Sequence, residues 1–348
     1  MTTFARRVIA WQRVHGRHDL PWQASRDPYR VWLSEVMLQQ TQVTTVLPYF
    51  AKFIAAFPTV HELARAHEDQ VLGLWSGLGY YARARNLHRA ARAIELADAF
   101  PRSAQALAEL PGVGRSTAAA IAVFAFGQRA AILDGNVKRV FARHFLIEGF
   151  PGEKKVENKL WALAESLLPR DDIESYTQGL MDLGATLCLR AHPRCDACPL
   201  LSTCAALRAQ RVDEFPAPRP RKTRQHKSVT VLVVVHGNQV LLEKRPPTGI
   251  WGGLWSLPEV ESKARASAIC RGRYGVQLAR AESMPAVEHG FTHFALTIRP
   301  MLYRVQYRTL HASESSALWL DLDALGGVAL PAPVKRILLQ AREMIRVE

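Results

Sequence analysis

The period of the apolar residues changes once along this chain, and that change constrains the fold more than any other feature. From residue 1 to about 212, apolar side chains recur at helical spacing and alanine is common. From Val229 onward they come as short β-branched runs. Residues 229–245, VTVLVVVHGNQVLLEKR, are two such runs joined by His236-Gly237-Asn238, the pattern of a β-hairpin. Between the two regimes, residues 213–228, DEFPAPRPRKTRQHKS, hold three prolines and five Lys or Arg with no apolar repeat. That composition predicts a basic, proline-stiffened linker. The length of 348 residues is enough for two or three cores. The expectation is therefore a multi-domain chain: an all-α domain over 1–212, a linker over 213–228 and an α+β domain over 229–348.

Asp27-Pro28 is a helix-start signal, an N-cap acceptor followed by proline at the first helical position. The helix is expected to run on through Gln42. Further helices are predicted at 43–57, 59–66, 68–75, 81–96, 103–110, 137–146, 156–167 and 173–183. In the second domain, residues 297–310 and 316–322 read as strands, and 262–275 and 333–345 as helices.

The formal charge of +14 favours a polyanionic partner. Nucleic acid comes ahead of membrane, because no amphipathic basic anchor stands out. No stretch approaches the roughly 20 apolar residues of a membrane span, and the N-terminus has no apolar run of signal-peptide length. A cytoplasmic location is expected. Disulfides are not expected there, yet four of the five cysteines fall within 17 residues. Cys188, Cys195, Cys198 and Cys204 are spaced C-x6-C-x2-C-x5-C, which points to a metal site or an iron–sulfur cluster. The spacing does not separate zinc from a 4Fe-4S cluster. Cys270 reads as a small apolar core residue.

Residues 110–115, LPGVGR, fit a helix–hairpin–helix turn. Gly112 and Gly114 let the turn form and let backbone N–H groups approach an anion, and the next helix points its positive end at it. Arg115 adds a cation. Such contacts position DNA without reading sequence. Asp134, followed by Gly135 and Asn136, has the position of an N-cap. A carboxylate at a helix start is expected to stay ionised and can stabilise a developing cation. Glu35 stands in an apolar helix among Val31, Leu33, Val36, Met37 and Leu38, where a glutamate is either paired or kept protonatable by desolvation. Gln39 and Gln42, with Gln40 beside them, extend its stripe toward base edges or a gap in a duplex. Residues 77–86, GLGYYARARN, put Tyr80 on a flexible turn. The tyrosine can wedge into a base stack while Arg83 and Arg85 hold phosphates.

Taken together, LPGVGR, LDGNVKR and the cysteine spacing make residues 1–212 similar to the helix–hairpin–helix DNA glycosylases that carry a Gly/Pro-Asp signature and a cysteine-ligated 4Fe-4S cluster. Among these, the chain resembles the MutY-type adenine DNA glycosylases. Endonuclease III relatives carry a lysine nucleophile two residues after the second glycine, and Ser116 stands there instead. The segments SEVMLQQTQV (34–43) and GLGYYARARN match the MutY type, and endonuclease III has no second domain. The second domain here resembles the Nudix fold. Gly253 and Glu259 keep the opening G-x5-E of a Nudix box, but residues 267–272, SAICRG, replace its glutamate-rich core. No Mg²⁺ cage and no pyrophosphohydrolase activity are expected.

The resemblance implies Glu35 as general acid, Asp134 as stabiliser of the sugar cation, Asn136 as its positioner or that of water, and Ser116 in a supporting role. It places Gln178 in the adenine pocket and makes the four cysteines cluster ligands. It implies that Phe291, Thr292 and His293 meet 8-oxoguanine; serine is common at the Thr292 position, and threonine keeps the hydroxyl. The implied partner is duplex DNA with adenine opposite 8-oxoguanine or guanine, bound by a monomer with no membrane association. Two other readings make different predictions. An endonuclease III-like glycosylase/lyase needs lysine at 116, and a non-enzymatic damage-binding protein has no use for Glu35 and Asp134.

Overall fold

The computed structural model describes residues 1–220, 225–291, 294–308 and 317–346. The chain forms two units, Met1–Arg65 with Asn86–Arg221, and Ala66–Arg85 with Lys222–Glu348. The division is not the single cut at the linker that composition suggests, because residues 66–85 join the second unit. The helices are α1 (Thr3–His15), α2 (Pro28–Leu38), α3 (Val43–Ala56), α4 (Val60–Arg65), α5 (Glu68–Trp75), α6 (Ala82–Ala97), α7 (Ala104–Ala108), α8 (Arg115–Phe126), α9 (Gly135–His144), α10 (Lys154–Ser166), α11 (Ile173–Asp182) and α12 (Ala205–Arg208). The later part holds β1 (Gln225–His236), β2 (Gln239–Lys244), β3 (Trp255–Ser256), β4 (Glu259–Val260), α13 (Ala266–Tyr274), β5 (Val276–Leu278), β6 (Glu282–Ser283), β7 (Val287–Gly290), β8 (Phe294–Arg308), β9 (Ala317–Asp321) and α14 (Ala332–Arg346). Among the described residues no helix is long and apolar enough to cross a membrane.

The helices follow the apolar period, with one correction. α2 starts as Asp27-Pro28 predicts, with Asp27 Oδ1 accepting from Tyr29 N at 2.9 Å. It ends at Leu38 rather than Gln42. Gln40 takes a left-handed φ of 59° and Gln42 is the N-cap of α3, so Gln42 does not extend the Glu35 face. No apolar residue between Leu38 and Val43 holds this polar run against the core, and propensity alone does not carry a helix.

α8 is the central element of the first unit. Residues 118–123 are all buried, so the helix is apolar on every side. It packs against α2, α7 and α11. The core around it takes in Val8 and Ile9 of α1, Val140 and Phe141 of α9, Leu160 of α10 and Tyr176 of α11. Alanine at Ala118, Ala119, Ala120 and Ala122 lets its neighbours come close.

In the second unit the sheet runs β3-β2-β1-β8-β5. β1 and β2 form the expected hairpin, with Val235 opposite Val240. β1 lies parallel to β8. The period-2 run of β1 serves two cores: Val231, Val233 and Val235 pack with Ile337 and Leu338 of α14, and Leu232 and Val234 pack with Ala266 and Cys270 of α13. The linker is shorter than its composition suggests. Phe215 is buried and its carbonyl accepts from Arg143 Nε at 2.8 Å, while β1 already begins at Gln225.

Candidate active site

Glu35 sits on α2 and lines a cavity of about 370 Å³ with Gln12, His18, Trp22, Phe124 and Gln178. Buried Val31, Trp32, Leu33 and Val36 surround it along the helix. Burial pushes its carboxyl up to about 8, and the nearby Asp134 charge adds to the push. A carboxyl in this state keeps its proton at neutral pH.

Asp134 caps α9, with Oδ1 accepting from Val137 N at 2.7 Å. Burial pushes this carboxyl up as well. The N–H groups of Val137 and Asn136 and the cations Arg139 and Lys138 pull it down, but burial is the largest effect and the net shift is upward. The helix start lowers the carboxyl as expected, but by less than burial raises it. Ser116 on α8 accepts from Leu133 N at 2.9 Å, and so fastens the segment that delivers Asp134. Asn136 Oδ1 accepts from Arg139 Nη2 at 2.7 Å. Arg139 also donates to Gly184 O at 2.7 Å and to Cys188 O at 2.6 Å. Gly184 lies in a π-helical turn, Leu183–Leu187, where a Cβ would strike Asn136. Glycine is what allows that turn to close on the start of α9.

Gln178, on α11, is nine-tenths buried and donates from Nε2 to Asp182 Oδ1 at 2.8 Å. Sequence reasoning missed Asp182 and its ion-pair partner Arg17, 2.7 Å away. The i,i+4 spacing from Gln178 to Asp182 was a usable signal; nothing local links Asp182 to Arg17. The cavity residues Gln12, His18 and Trp22 were missed for the same reason.

The hairpin is built as LPGVGR predicts. Gly112 has φ 78°, and a Cβ there would come within 2.6 Å of Asn86 Cβ. Gly114 caps α8 with no side chain over the helix start. Those backbone N–H groups are the natural anion site. Arg115 lies over the Trp161 ring at 3.8 Å and pairs with Glu165. Gln39 Nε2 donates to Thr117 Oγ1 at 3.2 Å, so its amide closes onto the hairpin, and Gln40 is exposed.

In the second unit, Tyr80 is exposed with a left-handed φ of 48°, whereas the Tyr81 hydroxyl donates to Leu330 O at 3.4 Å. Arg83 and Arg85 depart from expectation. Arg83 is buried, lies over Trp75 at 5.3 Å and donates to Leu78 O and Gly79 O. Arg85 donates to Gly252 O. Their guanidinium groups hold the turn itself, because its carbonyls have no strand or helix partner; they are not presented as a phosphate clamp. Phe291 stacks on Phe294 at 4.5 Å and meets His289 at 4.6 Å. Thr292 and His293 lie outside the described residues.

The four clustered cysteines line one small cavity with Val140, Arg143, Leu183 and Leu187. None is in a disulfide. Arg143 Nη1 points at Cys188 Sγ at 3.4 Å. Burial pushes Cys198 up to about 11, and the other three thiols add to the push. Four thiolates at this spacing repel one another unless a cationic centre lies among them. The donor set therefore fits a metal group. Among the described residues no three His, Cys, Asp or Glu side chains are placed to hold a single ion.

Two families match the chain. The HhH-GPD superfamily base excision DNA repair protein family covers residues 33–166, and the NUDIX domain covers residues 230–340. An adenine DNA glycosylase of Buchnera aphidicola subsp. Schizaphis graminum is 36% identical over 96% of this chain and 97% of its own length. The adenine DNA glycosylase of Homo sapiens is 32% identical over 97% of this chain and 73% of its own length. A solved thermostable thymine-DNA glycosylase is 29% identical, with a TM-score of 0.53 over 59% of this chain and 95% of that one. An endonuclease III–DNA complex, at 21% identity and a TM-score of 0.51, covers 60% of this chain and 94% of that one and shares the helical fold. Because the full-length matches run through both the helical and the sheet part, this chain belongs to the adenine DNA glycosylase family.

Proposed function

We propose that the enzyme removes adenine opposite 8-oxoguanine or guanine in duplex DNA, and that it cleaves the N-glycosidic bond without cutting the strand. One observation carries this reading: Glu35, a carboxyl that burial keeps protonated, lines a base-sized cavity within electrostatic reach of Asp134. The hairpin N–H groups hold the backbone, and the flipped adenine enters the cavity. Tyr80, Gln39 and Gln40 fill the stack it leaves. Glu35 gives its proton to adenine N7, and the C1′–N9 bond breaks with its electron pair leaving on the base. Asp134 stabilises the sugar cation, by charge or by a transient ester. Glu35, now ionised, accepts a proton from the water that adds to C1′. Asn136, tied to Arg139, fixes the start of α9 behind Asp134, and Gln178 contacts the base. Ser116 offers no amine for a Schiff base. The enzyme works as a monomer on DNA in the cytoplasm.

The test is single-turnover excision on duplexes with adenine opposite 8-oxoguanine, guanine or cytosine. Excision is expected fastest opposite 8-oxoguanine, with strand breaks only after alkali and no adduct trapped by borohydride. Efficient trapping would remove the hydrolytic reading. Phe291 is assigned, with Thr292 and His293, to the opposite base. Phe291→Ala is then expected to reduce the preference for 8-oxoguanine over guanine about tenfold, the order of one lost base–aromatic contact. Equal losses opposite both bases would remove it from lesion reading.

The four cysteines, clustered around one small cavity at the spacing of the iron–sulfur glycosylases, support a 4Fe-4S cluster. When bound, it supplies a cationic core that neutralises the thiolates. Elemental analysis is expected to give about four iron atoms per chain and no stoichiometric zinc. Stoichiometric zinc would overturn this assignment.

A further inference from the structure

We infer that the ion pair between Arg17 and the buried Asp182 fixes which end of the Gln178 amide faces the base cavity, and thereby sets the preference for a purine that carries an exocyclic amine. The inference rests on the proposal that adenine occupies this cavity.

An amide has two ends of nearly equal shape and opposite hydrogen-bonding sense. Which end points where is decided by its partners. Asp182 is fully buried. Its Oδ1 accepts from Arg17 Nε at 2.7 Å and from Gln178 Nε2 at 2.8 Å, and its Oδ2 accepts from Arg17 N at 2.9 Å. The paired carboxylate has no proton to donate, so only the NH₂ end of Gln178 can face it. That leaves the carbonyl oxygen Oε1 for the cavity that Gln178 lines. A flipped amide would set two buried oxygens against each other, a loss that the low-dielectric interior magnifies.

An outward carbonyl is an acceptor. Adenine carries an amine at C6, and guanine carries an oxygen there. A fixed Oε1 therefore binds the first and repels the second. An amide free to turn would serve both. Arg17 and Asp182 are thus positioning residues that act on the base through Gln178.

The test compares kcat/KM for adenine with that for hypoxanthine, which has oxygen at C6, each placed opposite 8-oxoguanine. The intrinsic reactivity of each base cancels when variant and wild-type ratios are compared, and so does any inactive fraction within one preparation. Asp182→Asn can donate or accept and so releases the amide. The adenine-to-hypoxanthine ratio is expected to shrink by about tenfold or more, the scale of one buried mismatched polar contact. Gln178→Met removes the amide and is expected to shrink the same ratio. Where Asp182→Asn does not fold, the double variant Arg17→Met/Asp182→Leu removes both charges together, an exchange that buried ion pairs often tolerate, and it carries the same expectation. A ratio that is unchanged without the Asp182 carboxylate but reduced in Gln178→Met would overturn the positioning role and leave the adenine cavity standing. An unchanged ratio in every variant would remove Gln178 from base reading, and the inference with it.

Discussion

Glu35→Gln is expected to slow adenine excision by about 10²–10⁴-fold, the usual contribution of a positioned general acid, while duplex binding persists. Glutamine keeps the size of the side chain and puts an amide where the carboxyl was, but it has no proton that can be handed to N7. The pH profile of the wild-type enzyme carries the same information. With Glu35 held up to about 8 by burial and by Asp134, the single-turnover rate is expected to stay level through neutral pH. It then falls about tenfold per pH unit well above that value, as the proton is lost. The Gln variant is expected to lose this fall. A variant that retained near-normal excision would remove Glu35 from the chemistry.

Stability is expected to move the other way. The folded-state value of about 8 lies above the ordinary glutamate value of 4.5, so folding binds a proton at Glu35. Its favourable contribution is complete below the lower value and is lost as pH rises through the upper one. Above that, the native state carries a desolvated charge. Glu35→Gln is therefore expected to raise the melting temperature at pH 9 more than at pH 5, a gain in stability accompanying the loss of activity.

Asp134→Asn is expected to lose about 10²–10³-fold in excision, the scale of removing one preorganised electrostatic group from a transition state. The choice of asparagine matters because Asp134 has two jobs. As the N-cap of α9 it accepts from Val137 N at 2.7 Å, and asparagine caps helices about as well. In its proposed role beside the sugar, the carboxylate cannot be replaced by an amide. Burial already raises its energy as an anion, and a cation forming next to it relieves that cost at the moment of bond cleavage. Binding to duplex DNA is expected to survive in Asp134→Asn. Asp134→Ala removes the cap too, with about 1 kcal/mol of stability. Parallel loss of binding and excision in the asparagine variant would favour a purely structural role.

Much of this was legible in the chain. The helices follow apolar spacing, Asp27-Pro28 marks a helix start, and a lone glutamate among valines and leucines marks a desolvated group. What resisted reading had two physical causes. One is distance along the chain: the wall of the cavity from Gln12 to Trp22, and the Arg17–Asp182 pair, meet only through packing. The other is the hidden demand of irregular backbone. Arg83 and Arg85 looked like phosphate ligands because sequence does not reveal that the glycine turn has carbonyls to satisfy. The QQTQ run looked helical because nothing in its composition shows that the core ends at Leu38.

The alanine-lined faces of α8 carry a mechanical consequence. Alanine has no χ rotamers, so at Ala118, Ala119, Ala120 and Ala122 this helix touches its neighbours at close range through methyl groups that cannot rearrange. The hairpin turn proposed to hold DNA sits at its N-terminus, and Ser116, which fastens the approach to Asp134, sits in its first turn. The part proposed to hold the DNA backbone and the part that anchors the carboxylate therefore share a single turn of one tightly packed helix, so neither can shift without the other.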